Sequence, residues 1–413
     1  MREFNPLAES TLDETMRILR NAYPAADLPS PEEHRDTLLE CIERDNVHVW
    51  TVHEGGQQLA VLRTHDFVMN AFGHQVPVQG LGGVAVDLCH KKKQVAKDLV
   101  LWFMQRSCAL GVGLTALYPF RISFYQRMGW GLGTPTHRFH LAPRSFPETS
   151  EAGTARYLVE GDEDALFSYL DGVQGQTHGL FHVPRADVKL PKANSGQRSV
   201  GIEFDGKLEA HVVFKFVALN KHNILQQNIE VLSWTYSTRR GLRELFQFFR
   251  KQADQVSRVV FLTQDSHLQY LFSDPLDGSD NNFRLNHQIS ERGIGIMYRM
   301  VDPAQLIEQL AGHNFGGVNL TCGIDLQDGF WEPTSGSFEL EFQDGRARVL
   351  KNALPSKVRL KISVGDFSSM LLGALPLDRL LDYGTASLSD PAVRADLEQA
   401  FHVREAPRCT TGF

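Results

Sequence analysis

The stretch from residue 82 to residue 105, GGVAVDLCHKKKQVAKDLVLWFMQ, constrains the fold more than any other part of the sequence. An apolar run at Val84–Val86 predicts a strand, and apolar residues spaced i, i+4, i+7 and i+8 from Val95 predict a helix. Lys91–Lys93 fall at the helix start, where the backbone already carries partial positive charge and unpaired amide donors. A strand, turn and helix with nearby lysines is typical of a pyrophosphate cradle, although three lysines alone also fit a solvated turn.

Length, charge and cysteine content narrow the class of protein. The length of 413 residues predicts two or three domains. A formal charge of −7 argues against a general nucleic-acid-binding surface, because such a surface needs a large basic excess. The five cysteines are odd in number and scattered, so they predict neither a disulfide framework nor a zinc site, and no metal is expected. The absence of long apolar runs predicts a cytoplasmic protein without a membrane segment.

The order of predicted elements is repeated along the chain. The first part reads as a helix, antiparallel strands, a strand, a helix, a strand and a helix. A turn-rich stretch at 142–155, APRSFPETSEAGTA, is the predicted linker. Beyond it, strands at 198–216 and 223–237 precede the helix TRRGLRELFQFFRKQADQV and the strand RVVFL. This order repeats the first part about 150 residues later and indicates an internal duplication.

Two motifs carry a resemblance to a known family. VAVDLCHKKKQVAKDLV resembles the acyl-CoA-binding signature V-x-x-x-x-[RK]-x-x-G-x-[GA] of GNAT-type N-acetyltransferases, and LYPFRISFYQRMGWG resembles the tyrosine-containing segment of the Eis (enhanced intracellular survival) acetyltransferases. The resemblance implies an α+β (mixed α/β) fold of two tandem GNAT-like domains followed by a sterol-carrier-protein-like α/β domain. The expected bounds are 1–145 for the catalytic domain, 156–292 for a degenerate second domain interpreted as structural, and 293–413 for the last domain.

The resemblance also implies an activity, which is acetyl transfer from acetyl-CoA to a primary amine within a ternary complex. Tyr125 matches the family acid that protonates the departing thiolate, and the terminal carboxylate of Phe413 matches the general base. Gln94 stands where the signature has its first glycine; its backbone amide stays available, but its side chain would crowd the pyrophosphate. The expected acetyl-CoA contacts are Val84, Ala85, Val86, Lys92, Lys93, Gln94, Val95, Ala96, Lys97, Phe120 and Arg121.

The acceptor amine is less constrained by the sequence. The acids Asp27, Glu32, Glu33 and Asp36 follow the first helix, where they fit either an acidic mouth for a cationic amine or an ordinary solvated helix start. The uncharged residues at 410–412 argue against recognition of a polycation such as an aminoglycoside. The expected partners include a small-molecule or peptide amine and neither nucleic acid nor membrane. The resemblance also implies association with further copies of the chain, commonly as a hexamer. The alternative is a non-catalytic CoA-binding or scaffold protein that retains the fold.

Overall fold

The structure, a computed structural model, describes residues 2–24, 29–220, 222–223 and 226–413. The chain divides into two compact units. The first unit contains residues 1–133, 296–407 and 411–413, and the second contains residues 134–295 and 408–410.

The first part of the chain contains a long antiparallel meander followed by a helix, a strand and a short helix. Two helices separate the first strand from the second. The elements are β1 Glu3–Pro6, α1 Leu12–Ala22, α2 Pro31–Glu43, β2 Val47–Glu54, β3 Gln57–Ala71, β4 His74–Val86, α3 Val95–Ala109, β5 Leu114–Leu117, α4 Ile122–Gln126 and β6 Gly131–Leu132.

The second part repeats much of this order. Its elements are β7 Pro135–Leu141, β8 Thr154–Tyr157, α5 Glu163–Gln176, β9 Gln197–Phe204, β10 Lys207–Ala218, β11 Gln227–Tyr236, α6 Arg239–Arg250, β12 Val256–Thr263, β13 Asn282–Phe283, β14 Asn286–His287 and β15 Glu291–Ile294. Phe146, inside the predicted linker, is buried with the aromatic core of this part, so the beginning of that stretch packs into the core, while residues 148–155 are largely exposed.

The third part adds one more strand to the first sheet and builds a sheet of its own. Its elements are β16 Met297–Met300, α7 Pro303–Gln309, β17 Leu320–Gln327, β18 Gly336–Gln343, β19 Arg346–Leu350, β20 Arg359–Ser363, α8 Val364–Leu371, α9 Leu377–Asp382, β21 Ala386–Leu388 and α10 Arg394–Ala400. The last sheet has the order β19-β18-β17-β20-β21. Its β18–β19 hairpin turns at Asp344 and Gly345, which both have positive φ, as a type I′ turn requires.

The first two sheets share one topology. The first has the order β1-β2-β3-β4-β5-β16-β6, and the second has the order β8-β9-β10-β11-β12-β7-β15. In each, four antiparallel strands lead to a parallel neighbour, β5 beside β4 and β12 beside β11, and a helix, α3 or α6, makes the crossover. The predicted internal duplication is therefore confirmed, although β7 and β16 join their sheets from distant points in the sequence.

Helix α3 buries the face that its apolar spacing predicted. Val95, Leu99 and Phe103 are buried in one cluster with Trp130, and Trp102 packs against it partly buried. Burying each large apolar side chain stabilises the fold by about 1.5–3 kcal/mol, so this face fixes α3 against the sheet. None of the helices in the described ranges combines the length and the apolar character needed to cross a bilayer.

Candidate active site

The candidate site begins at a bulge in β4. Val61 pairs with Ala85 and Arg63 with Gly82, so β4 has one more residue between these pairs than β3 has. Gly83, inside the bulge, has a φ of +56°, which glycine adopts without strain. The parallel pairing of β4 with β5 runs from Val78 to Leu81. Past that point β4 continues beyond the end of this ladder.

Val84–Val86 lie on this continuation, along the edge of β4 that would face β5. An exposed strand edge of this kind accepts an extended ligand as an added strand. Tyr23 from the end of α1 donates its hydroxyl hydrogen to the carbonyl oxygen of Val84 at 2.9 Å. Burial raises the pKa of Tyr23, so the phenol stays protonated and keeps this hydrogen bond. The bulge is therefore held on one side by α1.

The turn after β4 is anchored by Asp87. Its buried carboxylate accepts hydrogen bonds from the amide of Cys89 at 2.9 Å and from the guanidinium of Arg17 at 2.7 Å. Burial by itself raises the pKa of Asp87, but the hydrogen bonds from Arg17, His90 and the Cys89 amide lower it to about 2. The carboxylate is thus ionised at neutral pH, and it fixes the start of the turn that carries Lys91–Lys93.

The basic turn has the properties of a phosphate cradle. Lys91–Lys93 and Gln94 are exposed, and Lys92 and Gln94 have left-handed backbones with φ of +64° and +60°. Gln94 is the N-cap of α3, whose first-turn amides lack partners within the helix. Arg2 donates to the carbonyl of Lys93 at 2.8 Å and pairs with Asp98 in the first turn of α3, so it holds this turn in place. These residues fit the pyrophosphate of a coenzyme such as acetyl-CoA.

Gln94 departs from the signature at a position where the backbone favours glycine. A left-handed conformation costs a residue with a side chain about 1–2 kcal/mol. The side chain of Gln94 is exposed, while Val95 beside it is buried and Ala96 is partly buried. Gln94 thus adopts a left-handed backbone that suits glycine better, at the expense of strain.

Tyr125 lies in α4, directly after β5. It is 3% exposed and contacts the rings of Phe124, Phe120 and Trp130 with centroid distances of 5.1, 5.7 and 5.9 Å. Burial raises the pKa of Tyr125, and the nearby Tyr23 adds to this shift. The phenol is therefore protonated at neutral pH and can donate a proton.

Two of the residues expected to contact acetyl-CoA lie at the surface next to the Tyr125 side chain. Phe120 is 65% exposed, and Arg121, the N-cap of α4, is exposed as well. Their exposure leaves them accessible to a ligand that enters along the β4 edge. An exposed aromatic ring in contact with a buried tyrosine is a ready surface for an apolar part of such a ligand.

The loop after α4 is held by a buried ion pair that the sequence did not reveal. Arg299 on β16 donates to the carbonyl oxygen of Met128 at 2.6 Å and pairs with Asp328. The side chains of Arg299 and Asp328 are 0% and 1% exposed. Gly129 has no room for a Cβ atom because the Arg299 guanidinium fills that space. The glycine of the GWG motif thus lets a distant arginine fix the turn after Tyr125.

The aromatic ring of the last residue packs into the first unit. The Phe413 ring lies 5.0 Å from the ring of Phe67, 5.2 Å from that of Tyr118 and 5.3 Å from that of His65. Phe67 and His65 belong to β3, and Tyr118 directly follows β5. The ring is therefore held between the strands on either side of β4.

The carboxyl group of Phe413 lies over the bulge. A Cβ atom on Gly82 would be 3.2 Å from the carboxyl carbon, 3.5 Å from its oxygen and 3.5 Å from Nε2 of His65. Tyr118 donates its hydroxyl hydrogen to the carbonyl of Thr411 at 3.0 Å, which fixes the tail. The absence of a side chain at Gly82 thus makes room for a carboxylate beside the open edge of β4.

His65 is the second polar group next to the Cβ position of Gly82. It is 7% exposed, and Nε2 has no hydrogen-bond partner within the described part of the chain. Burial lowers the pKa of His65 to about 3, and the charges of Arg63, Arg44 and His48 add to this. The imidazole is therefore neutral near pH 7.

Most of the predicted site residues gather around the bulge, while the predicted acids do not. Glu32 and Asp36 are exposed on α2, and Glu33 caps that helix in a reciprocal pair of hydrogen bonds with Ser30 at 3.0 and 3.2 Å. Asp27 lies outside the described residues. The described acids thus behave as an ordinary helix start. The sequence reasoning missed Tyr23, His65, Tyr118 and the Arg299–Asp328 pair.

The corresponding helix of the second unit has an internal anion at its start. The Glu209 carboxylate accepts from Nε of Arg240 at 2.8 Å and from the hydroxyl of Thr238, the N-cap of α6. Hydrogen bonds from Arg240 outweigh burial and lower the pKa of Glu209. The Arg240 guanidinium at this helix start is thus engaged within the protein, in agreement with the structural interpretation of this domain.

Comparisons with known proteins agree with this architecture. Family models match residues 3–133 to an acetyltransferase (GNAT) domain and residues 307–410 to a sterol carrier protein domain. No curated protein matches the sequence. Among solved structures, a GCN5-related N-acetyltransferase from Anabaena variabilis ATCC 29413 has a TM-score of 0.82 at 14% identity, and a probable N-acyltransferase from Enterococcus faecalis V583 has 0.80 at 16%. Eis1 from Mycobacterium abscessus has 0.78 at 15%.

These three structures and this chain cover one another completely. At such identities the likeness concerns the fold. Together with the repeated sheet topology, it confirms the predicted fold class of two GNAT-like domains followed by a sterol-carrier-like domain.

Proposed function

Because the chain contains a GNAT acetyltransferase domain and has the fold of an Eis protein, we propose that it is an acetyl-CoA-dependent N-acetyltransferase acting on a primary amine. Transfer is direct, within a ternary complex of protein, acetyl-CoA and amine. The observation that carries the proposal is the Phe413 carboxyl group, 3.2 Å from the Cβ position of Gly82 at the β4 bulge. A carboxylate beside an open strand edge and a protonated phenol supply a base and an acid for amine acylation.

The basic turn and the open edge of β4 would hold acetyl-CoA. Lys92–Lys97 present cations and first-turn amides to the pyrophosphate, and Val84–Val86 offer backbone groups to the pantetheine arm. Phe120 and Arg121 line the entrance next to Tyr125. When bound, acetyl-CoA supplies an activated acetyl group and a thiol leaving group.

Tyr125 and Phe413 divide the proton transfers. An alkylammonium ion has a pKa near 10, so the acceptor must lose a proton before it can attack. The Phe413 carboxylate accepts that proton, through water, in a cleft where removal from solvent favours the neutral amine. Tyr125, whose pKa is raised by burial, keeps its proton until it donates to the departing sulfur.

The first test is transfer from acetyl-CoA to a panel of amines, including aminoglycosides, polyamines and peptide lysines, followed by release of the thiol. Tyr125→Phe is expected to lower kcat by roughly 10²-fold or more while the Kd for CoA is retained. Tyr383→Phe, at an exposed tyrosine, is the matched control. An unchanged kcat in Tyr125→Phe would remove this residue from the acid role.

The second test concerns the tail. One glycine appended after Phe413 moves the carboxylate by up to about 3.5 Å and is expected to abolish most of the transfer. The same residue added at the N-terminus is the control. Full activity in the extended protein would rule out the carboxylate as base.

The alternative is a CoA-binding protein without transfer, favoured by the strained Gln94 backbone. Binding of CoA with no thiol release across the whole panel would favour this alternative. The resemblance also leads us to propose a homo-oligomer, for which light scattering at micromolar concentration gives the subunit number.

A further inference from the structure

Strand β3 carries a row of polar and aromatic side chains along the site. Arg63, His65 and Phe67 alternate in sequence, so their side chains lie on one face of the sheet. His65 and Phe67 contact the Phe413 ring. Arg63 pairs across the ladder with Gly82, and the Phe413 carboxyl carbon lies 3.2 Å from the Cβ position of Gly82. Arg63 is therefore the next residue of this row beside the candidate base.

The Arg63 guanidinium is not neutralised by the protein. Nε is inaccessible to solvent, and within the described ranges no hydrogen bond or ion pair engages the side chain. Burial lowers its pKa; Cys41 and Tyr23, which are close to it, oppose this shift, and Arg44 adds to it. A largely buried cation without a counter-ion is unfavourable in a folded protein unless a ligand pairs with it.

Among the described residues, Arg63 forms no ion pair with any carboxylate, including the Phe413 carboxylate that lies over Gly82. His34 on α2 has a buried Nδ1 without a partner in the described part of the chain, and its pKa is lowered by burial and by Arg20 and Arg63. His65 is neutral for the same physical reasons. The described acids of α2, Glu32 and Asp36, face solvent.

We propose that the amine acceptor also carries a carboxylate group, which binds Arg63 while the amine lies at the Phe413 carboxyl group. This assignment rests on the proposed N-acetyltransferase function. A guanidinium binds a carboxylate through two parallel hydrogen bonds, and the neutral imidazoles beside it add polar contacts. The same buried cation disfavours diamines and polycations. The acceptor class is therefore an amino acid or a short ω-amino acid.

The experiment compares ω-amino acids of two to six carbons with their carboxamides, which differ by one charge. The wild type is expected to prefer at least one acid over its amide by about tenfold in kcat/KM, because a charge-assisted pair is involved. Arg63→Met is expected to abolish that preference by lowering kcat/KM for the acid at least about tenfold, to the value for its amide. Arg35→Met, which removes an exposed cation that pairs with Asp13, is the matched control.

A second readout does not need turnover. In the presence of CoA, the preferred acid is expected to raise the Tm of the wild type but not that of Arg63→Met. Without ligand, Arg63→Met is expected to have the higher Tm, because an uncompensated buried charge is gone.

Different results would overturn the proposed N-acetyltransferase function and the proposed role of Arg63. Absence of transfer to every amine would overturn the proposed function, whereas the Tm measurements would still decide the role of Arg63. Transfer that favours amides or diamines, an acid preference that survives in Arg63→Met, or no acid that raises the wild-type Tm would each overturn the inference.

Discussion

The buried Arg299–Asp328 pair makes the strongest stability prediction. Asp328→Asn keeps the size of the side chain and an oxygen that accepts from the amides of Phe330 and Trp331, which bond to Asp328 at 2.9 and 3.1 Å. It removes the only charge that faces a fully buried guanidinium within the described residues. Breaking a buried pair costs about 3–5 kcal/mol, and we expect about 3 kcal/mol because the two amide bonds survive.

Urea unfolding followed by tryptophan fluorescence measures this loss, since Trp130 and Trp331 are buried in the same cluster. With an m-value of about 3 kcal/mol/M, the midpoint is expected to fall by about 1 M. Asp13→Asn, which breaks an exposed pair with Arg35, should leave the midpoint unchanged.

A double variant distinguishes the effect of the unpaired Arg299 charge from the effect of changed side-chain packing. Arg299→Met combined with Asp328→Asn leaves no uncompensated ion, so it should be more stable than Asp328→Asn alone. If the single variant unfolds at the wild-type midpoint, or if the double variant is the less stable of the two, the reasoning about a buried unpaired charge is wrong.

Three further changes give measurable results. Gln94→Gly is expected to stabilise the fold by about 0.5–1 kcal/mol, as left-handed strain outweighs the added chain entropy, and to lower the Kd for CoA. His65→Phe should flatten the acid side of the plot of stability against pH. In the wild type the pKa of His65 is about 3 in the folded state and near 6.5 in the unfolded state. The free energy of unfolding of the wild type therefore falls by about 1.4 kcal/mol per pH unit from pH 6.5 down to about pH 3. Gly82→Ala crowds the terminal carboxyl group and should lower kcat at least about tenfold with CoA affinity retained.

Each of these has an outcome that contradicts it. Weaker CoA binding in Gln94→Gly would mean that the glutamine side chain itself contacts the ligand. An unchanged acid slope in His65→Phe would mean that His65 gains a proton in the folded state. Wild-type kcat in Gly82→Ala would mean that the tail position tolerates displacement and is not held for catalysis.

Local sequence patterns were enough to predict the strand, basic turn and helix around β4. The spacing of Val95, Leu99 and Phe103 reports one helix face, and burial of that face is a local consequence of amphipathic periodicity. The motif residues also gathered near one another, because the crossover from β4 through α3 to β5 brings residues close in sequence to one sheet edge. Local order was thus readable from the sequence.

Pairings between distant residues were not readable. Asp328 follows β17 in a stretch that reads as an ordinary turn, and no local pattern indicates that it neutralises Arg299. The alternation of Arg63, His65 and Phe67 predicts a shared face but not which segment covers it. For the same reason the acids of α2 were open to two interpretations, since exposure depends on what packs against the helix.

The position of β16 in the first sheet has a consequence for synthesis of the protein. β16 pairs with β5 on one side and with β6 on the other, yet it follows β5 by about 180 residues. At about 5–20 residues per second, β5 leaves the ribosome roughly 10–40 s before its neighbour exists. During that time the hydrogen-bonding groups of a fully buried strand are open to other chains. Nascent chains of this protein therefore need protection from aggregation until residue 300 has emerged.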